Sequence, residues 1–280
     1  VTGIETDAVG NVLGWYGRPG TSPVVVAAHL DTVFPEGTDV AVRQVGDRLV
    51  GPGIGDDGRG LAAILALARA LRAAGARFRR PLLVVATVGE EGRGDLRGVR
   101  HLFGPRGLGR YATGFVSLDG AGNRRIVNRA VGARRWRATV RGPGGHSWVD
   151  WGVANPLHAL GRGVAGLDGP PRPPGLTLSV GRLEGGRSVN AIPEEAWMEL
   201  EIRSPDPSEL EETAPRVEAA VAGAVDQVNR GRRRGTPALA LEMEVVGNRP
   251  AGCTAPEAPL VQAAAAATRS LGRRPLLALS

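Results

Sequence analysis

The stretch Val24-Val-Val-Ala-Ala-His-Leu-Asp-Thr-Val33 carries a β-branched apolar run that ends in His29-Leu-Asp31. A short continuous apolar run of this kind reads as a buried strand. His29 and Asp31 then stand two residues apart at its C-terminal end, where open α/β sheets place their ligands. A neutral imidazole beside a carboxylate is how proteins present a metal ligand together with a group that orients it. Taken alone the signal is weak, because a histidine at a strand end is more often structural.

Working outward, two more buried runs end in acids. Pro81-Leu-Leu-Val-Val-Ala-Thr-Val88 runs into Gly89-Glu-Glu-Gly92, and Phe115-Val-Ser-Leu ends at Asp119. Between the first two lies the Gly-rich loop Gly51-Pro-Gly-Ile-Gly-Asp-Asp-Gly-Arg-Gly60, which carries Asp56 and Asp57. It feeds Leu61–Arg72, rich in Ala and Leu and free of Gly and Pro, hence a helix, closed by Gly75. Residues 1–20 read as a strand pair with a turn at Gly10-Asn11. Strand, helix and strand in this order argue for a parallel α/β sheet.

If the strands are parallel, Asp31, Asp56, Glu90, Glu91 and Asp119 all face one crevice at the carboxyl edge of the sheet. Several carboxylates and one imidazole cannot share a small crevice without compensating positive charge. The chain contains no Lys, and Arg59 and Arg93 are the sparse local cations. A divalent metal answers the need: Zn²⁺, or Mn²⁺ or Co²⁺, suits a His-plus-carboxylate set. An acid bridging two metals with a free Glu beside them would make a two-metal hydrolase. Each piece alone has a bland reading, a turn for Gly55-Asp-Asp-Gly58, a solvated pair for Glu90-Glu91 and a strand-end turn for Asp119-Gly120. Their shared position after buried strands is what raises the functional reading.

The pattern changes near residue 124. Arg134–Arg141, Leu176–Val180 and Ala196–Arg203 alternate with period two, as strands with one wet face do. Asn155–Val164 and Ser208–Val228 read as helices, the second with a Ser208 N-cap. Ala238–Val246 adds a strand. These form an α+β insert over residues 125–248, with residues 1–124 and 249–280 as the first domain and Leu260–Arg269 as a helix within it. Gly169-Pro-Pro-Arg-Pro-Pro174 reads as a loop. His158 reads as structural and His101 as a surface loop residue.

Composition bounds the function. Net charge is 35 − 28 = +7, every cation being Arg. The arginines are scattered among acids, only Arg230-Gly-Arg-Arg-Arg234 clusters, and aromatics are 4%, too few for base-stacking platforms; no nucleic-acid partner is expected. No run approaches the ~18 apolar residues of a membrane span, and no signal peptide is visible. Cys253 is the single cysteine, which fits a cytoplasmic protein.

Taken in order, His29-x-Asp31, Gly55-Asp-Asp-Gly58, Glu90-Glu91-Gly92, Ser117-Leu-Asp119, Gly144-Gly-His-Ser147 and Ser188-Val-Asn-Ala-Ile-Pro193 resemble the zinc exopeptidase family of glutamate carboxypeptidase, tripeptide aminopeptidase, aminoacylase and succinyl-diaminopimelate desuccinylase. The resemblance implies an α/β, three-layer di-zinc catalytic domain with an inserted α+β, ferredoxin-like lid that dimerises. It implies that His29 and Asp119 bind one zinc, Asp56 bridges both, Glu91 binds the second and Asp31 orients His29. Glu90 would be the general base toward the water between the metals. His146 would reach a substrate carbonyl, commonly in the partner subunit's site, while Asn190 and Arg203 would bind the substrate's carboxylate. The substrate would be a small peptide or an N-acyl amino acid. Two departures stand out. Gly58 occupies a position often held by Lys. The family also takes a last His ligand for the second zinc from a segment near its C-terminus, and no His follows His158. The chain therefore reads as a fragment lacking that segment and an N-terminal helix, and a non-catalytic binder of amino acids or peptides is the alternative.

Overall fold

The computed structural model describes residues 2–120, 122–167 and 173–280; positions 169–172 of the Pro-rich loop lie outside them. The elements in chain order are β1 (Thr2–Thr6), β2 (Val12–Tyr16), β3 (Val24–His29), β4 (Arg43–Val45), β5 (Arg48–Val50), α1 (Arg59–Ala73), β6 (Leu82–Thr87), α2 (Arg97–Phe103) and β7 (Gly114–Ser117). There follow β8 (Arg125–Ala130), β9 (Gly132–Arg141), β10 (Gly145–His146), α3 (Pro156–Leu167), β11 (Thr177–Gly185), β12 (Ala191–Ile192), β13 (Glu195–Ser204), α4 (Pro207–Gly231), β14 (Ala240–Arg249), β15 (Gly252–Cys253), α5 (Pro259–Ser270) and β16 (Leu276–Leu279). Two compact units emerge, Val1–Arg125 with Ala263–Pro275, and Ile126–Gln262 with Leu276–Ser280. Helix α5 crosses that division.

The first unit is built on a sheet of order β1-β2-β6-β3-β7. Strand β3 pairs in parallel with β6 and β7. Strands β1 and β2 are antiparallel additions, so the sheet is mixed rather than parallel throughout. The short Asp7–Gly10 turn, closed by Gly10 N–H to the Asp7 carbonyl at 3.1 Å, can join only antiparallel strands. The apolar run of β3 is continuous because both faces are covered. Val25 and Ala27 pack with Leu13, Trp15, Leu83, Val85 and Leu102. Val26 and Ala28 pack with Ile64 and Leu82, and α1 adds Leu61, Leu67 and Leu71. The result is three layers: α1, the sheet and α2.

Helix α2 is absent from the sequence reading, and His101, expected in a loop, lies within it, partly buried and 3.8 Å from an Asp7 carboxylate oxygen. Gly98 hides this helix. Glycine lowers helix propensity, yet a Cβ here would sit 2.2 Å from Asn11 Oδ1 and 2.5 Å from the Val88 carbonyl. Close approach to the end of β6 requires the glycine.

In the second unit β9-α3-β11-β13-α4-β14 follow one another, and the antiparallel sheet has the order β11-β13-β9-β14, the split βαβ arrangement of ferredoxin-like folds. One face, with Trp136, Ala138, Val140, Met198, Leu200 and Ile202, packs on α3 and α4. The other bears Arg and Glu side chains, among them Arg137–Glu199 and Arg135–Glu201. Helix α4 is capped by Asp206, whose carboxylate accepts from Ser208 N–H at 2.9 Å. The expected Ser208 cap is displaced because Pro207, with no N–H to satisfy, takes the first helical position. Strands β15, β8 and β16 form a separate small sheet. Among the described residues no helix is long and apolar enough to cross a membrane.

Trp136 is fully buried and its Nε1–H donates to Glu218 at 2.9 Å. Trp136→Ala is expected to destabilise the second unit by about 3–5 kcal/mol. Trp136→Phe, which keeps most of the volume and loses the hydrogen bond, is expected to cost appreciably less. Urea unfolding of the two variants measures the difference.

Candidate metal centre

The carboxyl ends of the three parallel strands supply the site. His29 closes β3 and is buried at 3% exposure. Its Nδ1 lies 2.8 Å from the Asp31 main-chain oxygen, and its Nε2 lies 2.8 Å from Asp56 Oδ1 and 4.0 Å from Asp119 Oδ1. The Asp31 carboxylate is farther from Nδ1, at 3.9 Å. That carboxylate instead accepts the backbone N–H groups of Glu90 at 3.0 Å and Glu91 at 2.8 Å. Asp31 thus sets the imidazole through its peptide and the Glu90–Glu91 turn through its side chain.

Among the described residues, ligand atoms of His29, Asp56 and Asp119 lie within 4.8 Å of one another, as do those of His29, Glu90 and Glu91. His29 belongs to both groups. A borderline imidazole nitrogen with several hard carboxylate oxygens fits a first-row divalent ion, so the donor set suits a metal. The partial exposure of the Asp56 and Asp119 side chains, at 60% and 46%, leaves the group open to solvent and to a ligand.

Electrostatics agree with a place for a cation. Burial alone would lower the His29 pKa, but the Asp31 carbonyl, the Asp56 hydrogen bond and the charges of Glu90 and Asp119 outweigh it and raise it. Glu91 is raised by burial first, then by the neighbouring charges of Glu90 and Asp56. In both cases protons are held where positive charge is wanted.

Two supporting residues escape a linear reading. Asp57, next to Asp56, is buried at 1% exposure. Its Oδ2 accepts the His29 backbone N–H and its Oδ1 accepts the Gly60 N–H, each at 3.0 Å. Burial pushes its carboxyl up, partly opposed by the hydrogen bond from His29. A Cβ on Gly60 would meet Asp57 Oδ1 at 2.2 Å and the Leu118 carbonyl at 2.3 Å, so the glycine admits this close packing. Asn11, read as a turn residue, is fully buried. Its amide donates to the Gly98 carbonyl at 2.9 Å and its oxygen accepts from Val88 N–H at 3.0 Å, which anchors the strand end just before Glu90. The burial of either side chain has no local signature. Arg59 donates to the Gly120 carbonyl, beside Asp119.

In the second unit His146 and Asn190 come together. Gly145-His146 pairs with Ala191-Ile192, and Ser147 N–H donates to the Asn190 carbonyl at 2.9 Å. His146 N–H donates to Asp150, and Ser188 Oγ to Asn190 Oδ1. Arg203 is not with them. It sits at the far end of β13, eight residues from Glu195, roughly 26 Å at the rise of a strand. Its Nε donates to Glu201 at 2.8 Å. Burial opposes charge on Glu201, yet the hydrogen bonds from Arg203 and Arg135 outweigh it and hold the carboxyl below its usual range. His158, expected to be structural, is exposed on α3 and lines a hollow of about 460 Å³ with Arg187 and Ser188.

The model of the family described as peptidase family M20/M25/M40 matches residues 25–279. No curated protein sequence matches. Among solved structures, aminopeptidase PepT from Bacillus cereus is 22% identical with a TM-score of 0.69, covering 99% of this chain and 74% of that one. The dipeptidase Dug1p from Saccharomyces cerevisiae is 17% identical with a TM-score of 0.73, at the same coverage of 99% and 74%. Human carnosine dipeptidase 1 is 15% identical with a TM-score of 0.70, covering 97% and 71%. At these identities the likeness is one of fold.

Two outcomes follow from the geometry. Asp57→Asn leaves only one acceptor for two buried N–H groups, so it is expected to lower unfolding free energy by about 1–3 kcal/mol in urea titrations. A metal must displace the proton on His29, and a raised pKa keeps that proton on above the ordinary value of about 6.5. Divalent-metal affinity should therefore climb with pH through and beyond that value, with proton release seen by calorimetry in buffers of different ionisation enthalpy. Affinity flat across that range would contradict the arrangement.

Proposed function

The chain belongs to peptidase family M20/M25/M40, and from that premise we propose that it is a metal-dependent hydrolase cleaving an amide bond of a small peptide or N-acyl amino acid. The observation that carries this is the convergence of Asp56, Asp119, Glu90 and Glu91 on the buried imidazole of His29. In this reading His29, Asp119, Asp56 and Glu91 would hold the divalent metal, with Asp56 shared between two ions, zinc being well suited to a nitrogen-and-carboxylate set. Bound metal would supply Lewis-acid polarisation of the scissile carbonyl and a lowered pKa for the attacking water.

Glu90 is assigned as general base. Its backbone is held by Asp31, so its carboxylate can be aimed without serving as a ligand. It takes the proton of the attacking water and returns it to the leaving amine. Asp31 is the positioning residue for both His29 and this turn. His146 is assigned to the substrate carbonyl, and Asn190 and Arg203 to its carboxylate, for which a guanidinium fork is well shaped. The separation of Arg203 from the His146–Asn190 pair along β13 favours a homodimer, in which two copies of the lid contribute different residues to one substrate. Residues 125–248 are assigned as that lid.

Glu90→Ala is expected to cut kcat by about 10²- to 10⁴-fold while metal content, measured by atomic emission, stays at the wild-type level. Chelation should abolish hydrolysis and added Zn²⁺, Mn²⁺ or Co²⁺ should restore it. Hydrolysis by the Glu90→Ala variant at the normal rate would exclude the assignment.

A further inference from the structure

The first unit separates its charges. Acids gather at the carboxyl edge of the sheet. Between Asp57 and Glu90 the chain carries six arginines and no acid. At the amino edge, where Tyr16 pairs with Leu82 and Leu82 with Val24, lies a groove of about 470 Å³. It is lined by Tyr16, Arg18, Arg77, Phe78, Arg79 and Arg80. It opens at the other end of β3 from His29, five residues away, roughly 17 Å at strand rise, so it is not part of the metal centre.

Among the described residues no salt bridge or side-chain hydrogen bond joins these four guanidiniums to an acid of the protein. Nor do they cap the preceding helix. The carbonyls at the end of α1 are already occupied: Ala74 N–H donates to Ala70, Gly75 N–H to Arg72 and Ala76 N–H to Leu71. The Tyr16 hydroxyl lies 2.8 Å from the carbonyls of Leu71 and Ala76. These contacts pin the floor of the groove and leave the arginines facing solvent. Four like charges around one hollow repel one another unless an anion sits among them.

We propose that this groove binds a nucleoside di- or triphosphate. Guanidinium forks match phosphate oxygens in pairs, and several forks in one hollow suit a polyphosphate chain better than a single carboxylate. Phe78 meets Tyr16 edge-on at 5.8 Å and stays 54% exposed, offering a ring on which a nucleobase can stack. The volume lies in the range of small-ligand sites. The site is independent of the hydrolase reading, since it uses none of the same residues.

The test is calorimetric titration of the metal-loaded chain with ATP in excess Mg²⁺, with magnesium tripolyphosphate and with adenosine, at physiological salt. Expected are saturable one-to-one binding of ATP, weaker binding of tripolyphosphate and none of adenosine. The Arg79→Ser/Arg80→Ser double variant should bind ATP at least about tenfold more weakly with unchanged melting temperature and unchanged peptide hydrolysis. Phe78→Ala should weaken ATP but not tripolyphosphate. No saturable binding, or ATP binding indifferent to the double variant, overturns the site. Equal affinity for tripolyphosphate and ATP overturns the nucleoside assignment. Single-stranded DNA binding more tightly with each added length overturns it in favour of a general polyanion surface.

Discussion

A buried carboxylate holds the candidate metal centre together. Asp57 receives the backbone N–H of His29 at the end of β3 and that of Gly60 in the first turn of α1. One side chain thereby fixes the strand end to the start of the helix, and Asp56, its neighbour, is left to project toward the imidazole. A carboxylate this deep is stable because its acceptors are filled by N–H donors. Gly60 cannot be larger without striking it. The two adjacent aspartates have opposite surroundings, Asp57 enclosed and Asp56 exposed, so Asp57 supports the backbone while Asp56 faces the imidazole.

The same logic recurs one strand over. The Asp31 carboxylate collects two successive N–H groups of the Glu90–Glu91 turn, and the Asn11 amide braces the strand end just before it. His29 and the Glu90–Glu91 turn are thus held by hydrogen bonds made behind them. Rigidity of this kind keeps like charges close to one another: burial and then the charges of Glu90 and Asp56 shift Glu91 toward its protonated form, and the Asp31 carbonyl, Asp56, Glu90 and Asp119 shift His29 the same way against its burial. At the opposite edge of the same sheet Arg18, Arg77, Arg79 and Arg80 line a groove.

Much of this was legible in the chain. Continuous apolar runs mark β3 and β6, because strands covered on both faces need no polar alternation, whereas β7, expected to be buried like them, is the edge strand and is only partly covered. Alternation marked β9, β11 and β13, because one face there is wet. The acids at strand ends could be gathered into one crevice by the topology of parallel strands alone, and membership of the peptidase family followed from their order. Helix α2 was not legible, since its Gly98 answers to packing against Asn11 and Val88 rather than to helix propensity. The cap of α4 was misplaced by two residues because Pro207 shifts the first turn.

Local pattern suffices for the acids that follow the strands, the switch from continuous to alternating patterning near residue 124, and the family. Long-range contacts reveal that Asp57 is a buried support beneath Asp56, and that Asp31 works through its peptide and its side chain separately. The tertiary structure also decided that Asn11 is core rather than turn, and that Arg203 stands far from His146 and Asn190. The physical reason is range. Periodicity is a property of neighbours along the chain. The direction of a side chain in a turn is set by hydrogen-bond partners 28 to 87 residues away, and no local pattern records them.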